Sequence, residues 1–178
     1  MRTDTMHPPL APLRDLLHRL EGAGIEAALG GSGLLYPLGL VERVNDWDLT
    51  TDANPDLVRA ALESLPWEDR TGGHDYATAG RFVIHAGTDE IDLICRFAVA
   101  GEGGVCHLPT IVTGHWQGVP LGALEVWAAA YWLIGRPQKA EFVLTHLRRT
   151  GADPVRLSRI LQEPLPAPLR TELEALRR

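Results

Sequence analysis

Two aspartates separated by a single residue are the first feature of this sequence that could do chemistry. Asp46 and Asp48 belong to the segment Asp-Trp-Asp-Leu. Side chains alternate between the two faces of a β-strand, so a strand here places both carboxylates on one face, about 7 Å apart. Like charges at this spacing repel each other, and a divalent cation would relieve the repulsion. The pair therefore predicts a metal site.

A glycine-rich turn lies upstream of the two aspartates. Gly30, Gly31, Ser32 and Gly33 follow an apolar run and open a short helical pattern. Glycines let the backbone approach a ligand closely, and amides at a helix N-terminus bind anions. No GxGxxG fingerprint is present, because position 36 is Tyr, and no Gly-Lys-Ser/Thr follows as in a P-loop. A plain strand-to-helix turn would explain the glycines but not the acids, so we expect Gly30, Gly31 and Ser32 to contact nucleotide phosphates.

A third acid lies on a later apolar segment, Glu90-Ile91-Asp92-Leu93-Ile94. On a strand, Ile91 and Leu93 point to one face, and Asp92 points to the other. Glu90 shares the face of Asp92, so two registers remain open for the functional acid. We take Asp92 as the candidate and Glu90 as the alternative.

Gly-Gly-Ser, then Asp-x-Asp, then an apolar-flanked acid on a later strand resembles the nucleotidyltransferase superfamily typified by DNA polymerase β. The resemblance implies transfer of a nucleoside monophosphate from an NTP to an acceptor, with release of pyrophosphate. It also implies that Asp46, Asp48 and Asp92 are catalytic and bind Mg²⁺, with Mn²⁺ as the alternative. The implied fold is α/β (α+β): a polymerase-β-like mixed, mostly antiparallel sheet with helices on one side, plus a C-terminal helical portion. The catalytic domain is expected at 1–120 and the helical portion, packed on it, at 121–178.

The triphosphate needs positively charged partners, and the sequence offers few near the glycine turn. Arg43 lies just before the aspartates, and Arg136 and Lys139 open a late helical pattern. We expect Arg43 and Lys139 to contact the nucleotide, of which ATP is the expected form. The alternative for each is a solvated surface charge.

Net charge and composition limit the classes of acceptor that we expect. The chain carries a net charge of −6, its pI is near 5.6, and it has no long basic patch. We therefore expect a small-molecule or protein hydroxyl as acceptor, and no long nucleic acid. A nucleotide-binding module without turnover and a tRNA-end nucleotidyltransferase are the alternatives. No run of ~20 apolar residues and no signal-peptide core occurs, which favours a cytoplasmic protein with no membrane partner.

The pattern of apolar residues predicts the elements that position these groups. A strand at 25–29 leads into the glycine turn, and a strand at 47–51 carries the aspartate pair. A meander of antiparallel strands begins at residue 67, and its last strand carries Asp92. The remaining predictions are strands at 75–79, 82–85, 91–97 and 111–113, helices at 12–23, 32–38, 54–65, 124–133 and 137–150, and an interrupted helical tail at 153–178.

Overall fold

The computed structural model describes residues 6–73 and 76–177. Its helices are α1 (Leu10–Gly22), α2 (Gly31–Leu35), α3 (Pro55–Leu62), α4 (Leu124–Leu133), α5 (Pro137–Thr150), α6 (Pro154–Ile160) and α7 (Ala167–Ala175), with a 3₁₀ turn at Tyr36–Leu38. Its strands are β1 (Ala28–Gly30), β2 (Trp47–Thr51), β3 (Trp67–Asp69), β4 (Gly80–Ala86), β5 (Asp89–Cys95), β6 (Ala98–Gly101), β7 (Gly104–His107), β8 (Gly114–Trp116) and β9 (Val119–Leu121).

One seven-stranded sheet organises the molecule, in the order β3-β4-β5-β2-β1-β9-β8. β2 runs parallel to β5 and β1 runs parallel to β9, whereas the other neighbours are antiparallel. β6 and β7 form a separate antiparallel hairpin. The predicted mixed, mostly antiparallel sheet is therefore confirmed.

Two hydrophobic cores lie on opposite faces of the sheet. Leu93 packs into a core with residues of α1 and α3, while the next residue, Ile94, packs into a core with α4–α7. Successive residues of a strand point to opposite faces, which explains how one strand serves both cores. α1 and α3 therefore cover one face, and the C-terminal helices pack against the other.

Local signals explain where several elements begin and end. The Asn54 side chain accepts a hydrogen bond from the Asp56 amide at 2.9 Å, and Pro55 occupies the first turn of α3, as the sequence predicts. α5 begins at Pro137 and is followed by Gly151, whose φ of 89° ends the helix. No helix within residues 6–73 and 76–177 is long and apolar enough to cross a membrane.

Two predicted strands are wrong. Over the described residues 76–79 there is no strand, and Tyr76 makes only an isolated bridge to Val99; Asp75 lies outside the described residues. Tyr76 is half-buried because its ring stacks on Phe97, so the apolar alternation there reflects single side-chain contacts rather than a ladder. Residues 111–113 also form no strand, and the β8–β9 hairpin follows them.

Candidate active site

The register of the central strands brings the glycine turn and two of the acids to one level of the sheet. Gly30 on β1 lies opposite Asp48 on β2, and Asp48 lies opposite Asp92 on β5. Because directly paired residues share a face, Asp48 and Asp92 point to the same side of the sheet. Glu90 lies two residues earlier, where it is half-exposed and forms ion pairs with His85 at 3.5 Å and Arg70 at 3.8 Å. Asp92, and not Glu90, is the neighbour of Asp48.

Asp46 lies outside the strand. β2 begins at Trp47, and Asp46 is exposed in the bend immediately before it, so the expectation that one strand carries both acids is wrong. Asp46 nevertheless lies within electrostatic range of both Asp48 and Lys139.

Asp48 is a carboxyl group whose ionised form is disfavoured by its surroundings. Burial, followed by the charges of Asp46 and Asp92, raises its pKa from 3.8 to about 7. Arg81 and Lys139 oppose that rise in pKa but do not cancel it. A carboxyl group held in this way gains from any cation that binds beside it.

The glycines are required by close packing around Asp48. Gly31 begins α2 with φ at 56°, and a Cβ added there would overlap the Asp48 carboxylate. A Cβ on Gly30 would overlap the indole ring of Trp127, which comes from α4. The turn therefore holds its backbone against the carboxylate on one side and against the C-terminal helices on the other.

Lys139 reaches the glycine turn from α5. Its Nζ donates a hydrogen bond to Ser32 Oγ at 3.0 Å and lies 5.4 Å from the centre of the Tyr131 ring. Burial and the nearby charge of Arg136 lower the pKa of Lys139, whereas Asp48 and Asp46 raise it. The predicted nucleotide-binding residues Ser32 and Lys139 are therefore adjacent in space, although 107 residues separate them in the chain. Arg43 is exposed in the loop before Asp46.

Tyr131 adds a polar group that sequence reasoning missed. Its side chain is buried, and burial followed by the charge of Asp48 raises its pKa. The hydroxyl lies beside Ser32 but has no well-formed hydrogen bond within the described part of the chain. Buried hydroxyl groups are normally paired, so this one lacks the well-formed partner that such a group usually has.

Arg81 is the second residue that the sequence analysis missed. From β4 its Nε donates hydrogen bonds to both oxygens of Asp92, at 3.1 and 2.9 Å, and its Nη2 donates to Oδ2 at 2.5 Å. Arg81 pairs with Ile94 in the β4–β5 ladder, so it lies diagonally across from Asp92 on the same face. The two-residue turn at Gly87 and Thr88 sets the register of β4 against β5. This turn is the feature of the sequence from which the position of Arg81 could have been predicted.

The chemistry of the carboxylates fits a hard divalent cation. Mg²⁺ and Mn²⁺ prefer carboxylate oxygens, and Asp46, Asp48 and Asp92 supply them around one point of the sheet. Among the residues that the structure describes, however, no three His, Cys, Asp or Glu side chains form a ready-made metal centre. Asp92 directs both of its oxygens to Arg81, and three hydrogen bonds take up most of the lone pairs that it could offer to a metal.

A cavity of about 660 Å³ lies elsewhere, between α1 and the β8–β9 hairpin. Its walls include His18, Glu26 and His115, and none of the predicted site residues lines it. Because it is remote from the acids, we do not assign it to the active site.

Comparison with solved structures identifies the fold. A crystal structure of a Thermotoga maritima protein, provisionally described as a nucleotidyltransferase, superposes with a TM-score of 0.58 at 18% identity, covering 79% of this chain and 92% of that one. A crystal structure of ANT(2″)-Ia in complex with adenylyl-2″-tobramycin superposes with a TM-score of 0.56 at 16% identity, covering 94% and 96%. The solution structure of the same antibiotic-resistance factor gives a TM-score of 0.55. No protein-family model matches the sequence, and a search of curated proteins gives no significant match. The chain therefore has the nucleotidyltransferase fold, as the resemblance of its motifs implies.

Proposed function

We propose that this protein transfers a nucleoside monophosphate from an NTP, with ATP as the expected donor, to a hydroxyl group of a small molecule or protein. The observation that carries the proposal is the position of Asp48 between Gly30 and Asp92 on neighbouring strands, with Lys139 against Ser32 beside them. Acids on one face and cationic or hydroxyl donors at its margin are the groups that phosphoryl transfer requires.

The phosphates of the NTP would bind at the glycine turn and the start of α5. Lys139 supplies a positive charge, and the Ser32 and Tyr131 hydroxyls supply hydrogen-bond donors. Lys139 and Ser32 already contact each other, so a phosphate oxygen placed between them would replace that one hydrogen bond with two.

The three acids would hold the metal that accompanies the nucleotide. When bound, Mg²⁺ would neutralise phosphate charge and make the acceptor hydroxyl a better nucleophile. Asp48, at the centre, would be a ligand of that metal, and Asp92 would accept the proton of the acceptor hydroxyl as its oxygen attacks phosphorus in line. The new P–O bond forms while the bond to the β-phosphate breaks, and pyrophosphate leaves.

Two facts favour a small hydroxyl-bearing acceptor. One solved structure of this fold, ANT(2″)-Ia, was crystallised with adenylyl-2″-tobramycin, which is a small molecule carrying a transferred adenylyl group. The net charge of −6 disfavours a long polyanion. A panel of polyhydroxylated small molecules is therefore the first set of acceptors to test.

The experiment is an assay of pyrophosphate release with ATP, Mg²⁺ and such a panel, in which labelled nucleotide is followed into the acceptor. We expect release that depends on the metal and on the acceptor, and that is lost in Asp48→Asn. Arg148→Gln is a matched control, because Arg148 forms its ion pairs with Glu141 and Glu172 at the surface. ATP binding without pyrophosphate release for any acceptor would contradict the proposal.

A nucleotide-binding module without turnover is the second candidate. The observation that favours it is the engagement of both Asp92 oxygens by Arg81, which competes with any role of Asp92 as a metal ligand or a base. The module would bind ATP normally in both wild type and Asp92→Asn, and neither protein would release pyrophosphate.

A further inference from the structure

Four aromatic rings pack together on the face of the sheet that α1 covers, behind the acids. One is the ring of His7, which belongs to residues 6–9 before α1; we call these residues the N-terminal strap. The ring centre of His7 lies 5.3 Å from that of Tyr36 and 5.7 Å from that of Trp47. It also lies 5.6 Å from the ring centre of Trp116. Because aromatic pairs at these distances attract each other, His7 joins rings from the 3₁₀ turn, β2 and β8.

The backbone of the N-terminal strap is hydrogen-bonded to the segment that carries the first acid. The carbonyl of Met6 accepts a hydrogen bond from the Val44 amide at 2.8 Å. The carbonyl of Pro9 accepts one from the Trp47 indole at 3.2 Å. Val44 lies two residues before Asp46, and Trp47 lies one residue after it. The strap therefore holds the chain on both sides of the bend at Asp46.

Asp46 is the acid of the site that the sheet does not hold. It is exposed in a bend outside β2, whereas Asp48 and Asp92 lie opposite each other on paired strands. Ordering the backbone of a free residue has an entropic cost, and a ligand that must order its own site binds more weakly for that reason. A strap that orders the bend beforehand removes this cost from metal binding.

We propose that His7 is a positioning residue, which acts through the N-terminal strap to hold Asp46 where it can bind the metal that accompanies the nucleotide. The inference rests on the proposed function and adds to it a residue that touches neither the nucleotide nor the metal. The His7 ring contacts Tyr36, just after the helix that begins at the glycine turn, and Trp47, at the start of the acid-bearing strand. Without the ring, the strap loosens and the bend loses its fixed position, while the two acids on the strands stay in place.

The test is a calorimetric titration of the full chain with a non-hydrolysable ATP analogue, once with Mn²⁺ and once with chelator. The ratio of the two affinities is the gain that the metal provides. We expect this gain to be on the order of tenfold smaller in His7→Ala than in wild type, the effect of ordering about one backbone residue on binding. His7→Phe keeps a ring among the other three and should retain the gain. His18→Ala is the matched control, because His18 is exposed on α1.

A double variant shows whether His7 acts through Asp46. Asp46→Asn should itself reduce the gain from Mn²⁺, and adding His7→Ala in that background should reduce it little further. If His7→Ala does not fold, Trp116→Leu removes another ring of the same cluster and should have the same effects.

Hydrogen exchange of the Val44 amide gives a measurement that needs no metal and no nucleotide. This N–H donates to the Met6 carbonyl of the strap, so its exchange reports how firmly the strap is held. It should exchange faster in His7→Ala than in wild type, and at the wild-type rate in His7→Phe.

An undiminished gain from Mn²⁺ in His7→Ala, or in Trp116→Leu if that variant has to be used, overturns the inference. A loss that His7→Phe fails to restore overturns it too, as does a loss that persists in full in the Asp46→Asn background. Each of these results leaves the proposed function intact as long as Mn²⁺ strengthens analogue binding to wild type. If wild type shows no such gain, the proposed function itself fails, so the two failures are distinguishable without a turnover assay.

Discussion

Asp48 determines the electrostatics of the site at the scale of single residues. Its pKa is raised to about 7 because the half-buried side chain is desolvated and because Asp46 and Asp92 add negative charge. The folded protein therefore holds a proton on this carboxyl more tightly than the unfolded chain does. As pH rises from about 4 to 7, the folded state loses stability relative to the unfolded state.

The first prediction follows from the sign of this pH dependence of stability. Without metal at pH 8, Asp48→Asn should unfold at a higher temperature than wild type, by about 5 °C or more, since each pKa unit corresponds to about 1.4 kcal/mol. At pH 5 the wild-type carboxyl is largely protonated, so most of the gain should be absent. Thermal unfolding in chelator at the two pH values measures it. A lower melting temperature at pH 8 would show that the Asp48 carboxylate stabilises the fold.

The second prediction concerns the two acids of β5. Asp92 lies opposite Asp48, whereas Glu90 forms ion pairs with His85 and Arg70. Asp92→Asn should therefore reduce transfer by about 10²–10⁴, the usual effect of losing a general base or nucleophile activation. Glu90→Gln should keep most of the activity. Loss of turnover in Glu90→Gln with retention in Asp92→Asn would reverse the assignment.

At this scale the residue types were predictable, and their partners were not. Acids flanked by apolar residues are visible in the sequence, and the structure places Asp92 opposite Asp48, while its catalytic role stays a prediction. Arg81 and Tyr131 gave no such signal, because an arginine or a tyrosine in an apolar pattern is common. The position of Arg81 could have been derived from the two-residue turn at Gly87 and Thr88, whereas the role of Tyr131 depends on burial, which only the assembled sheet and helices define.

At the scale of elements, the glycine turn shows why β1, α2 and β2 must fit together closely. Gly31 has φ at 56° and abuts Asp48, whereas Gly39 has φ at 68° with open space around it. Both positions disfavour a side chain on the backbone, but only Gly31 also lies against an acid of the site.

The third prediction uses this pair of glycines. Gly31→Ala and Gly39→Ala should each lose about 1 kcal/mol of stability through the left-handed backbone. Gly31→Ala should lose further stability and its nucleotide binding, because its Cβ displaces the Asp48 carboxylate. Calorimetric titration of an ATP analogue with Mg²⁺, beside thermal unfolding, separates the two effects. Equal behaviour of the two variants would show that the turn tolerates a side chain there.

Elements with strong local signals were predictable. Asn54 and Pro55 at the start of α3, and Pro137 and Gly151 at the two ends of α5, are visible in the sequence, and the structure shows both helices there. The β6–β7 and β8–β9 hairpins were missed, because their strands have three or four residues and little apolar alternation. Their pairing depends on neighbours distant in the chain, as where β9 joins β1 through Leu29 and Leu121.

At the scale of the whole molecule, the C-terminal helices complete the site and do not merely cover the sheet. Lys139 and Tyr131 come from α5 and α4, while Trp127 packs against Gly30. The packing of these helices on the sheet could be anticipated from their apolar faces. The contact between Lys139 and Ser32 could not be anticipated, because it depends on the angle between α4 and α5.

Glu125 anchors this helical portion from within. It lies in the first turn of α4 and is only 2% exposed. Its Oε1 accepts a hydrogen bond from the Asp153 amide at 2.8 Å, and Arg156 Nη1 lies 3.6 Å away. Glu125 therefore ties α4 to the start of α6, and these contacts point away from a role as the base that activates the acceptor.

The fourth prediction tests that structural role. Glu125→Ala should unfold several degrees below wild type, because it leaves the Asp153 amide and the Arg156 charge without their acceptor. Glu125→Gln keeps an acceptor oxygen at the same place, so its melting temperature should fall much less. Both variants, assayed well below their melting temperatures, should transfer nucleotide at close to the wild-type rate. A folded Glu125→Gln protein that has lost transfer by 10² or more would instead make Glu125 a participant in the reaction. The comparison therefore separates an anchor, whose loss is seen in unfolding, from a base, whose loss is seen only in turnover.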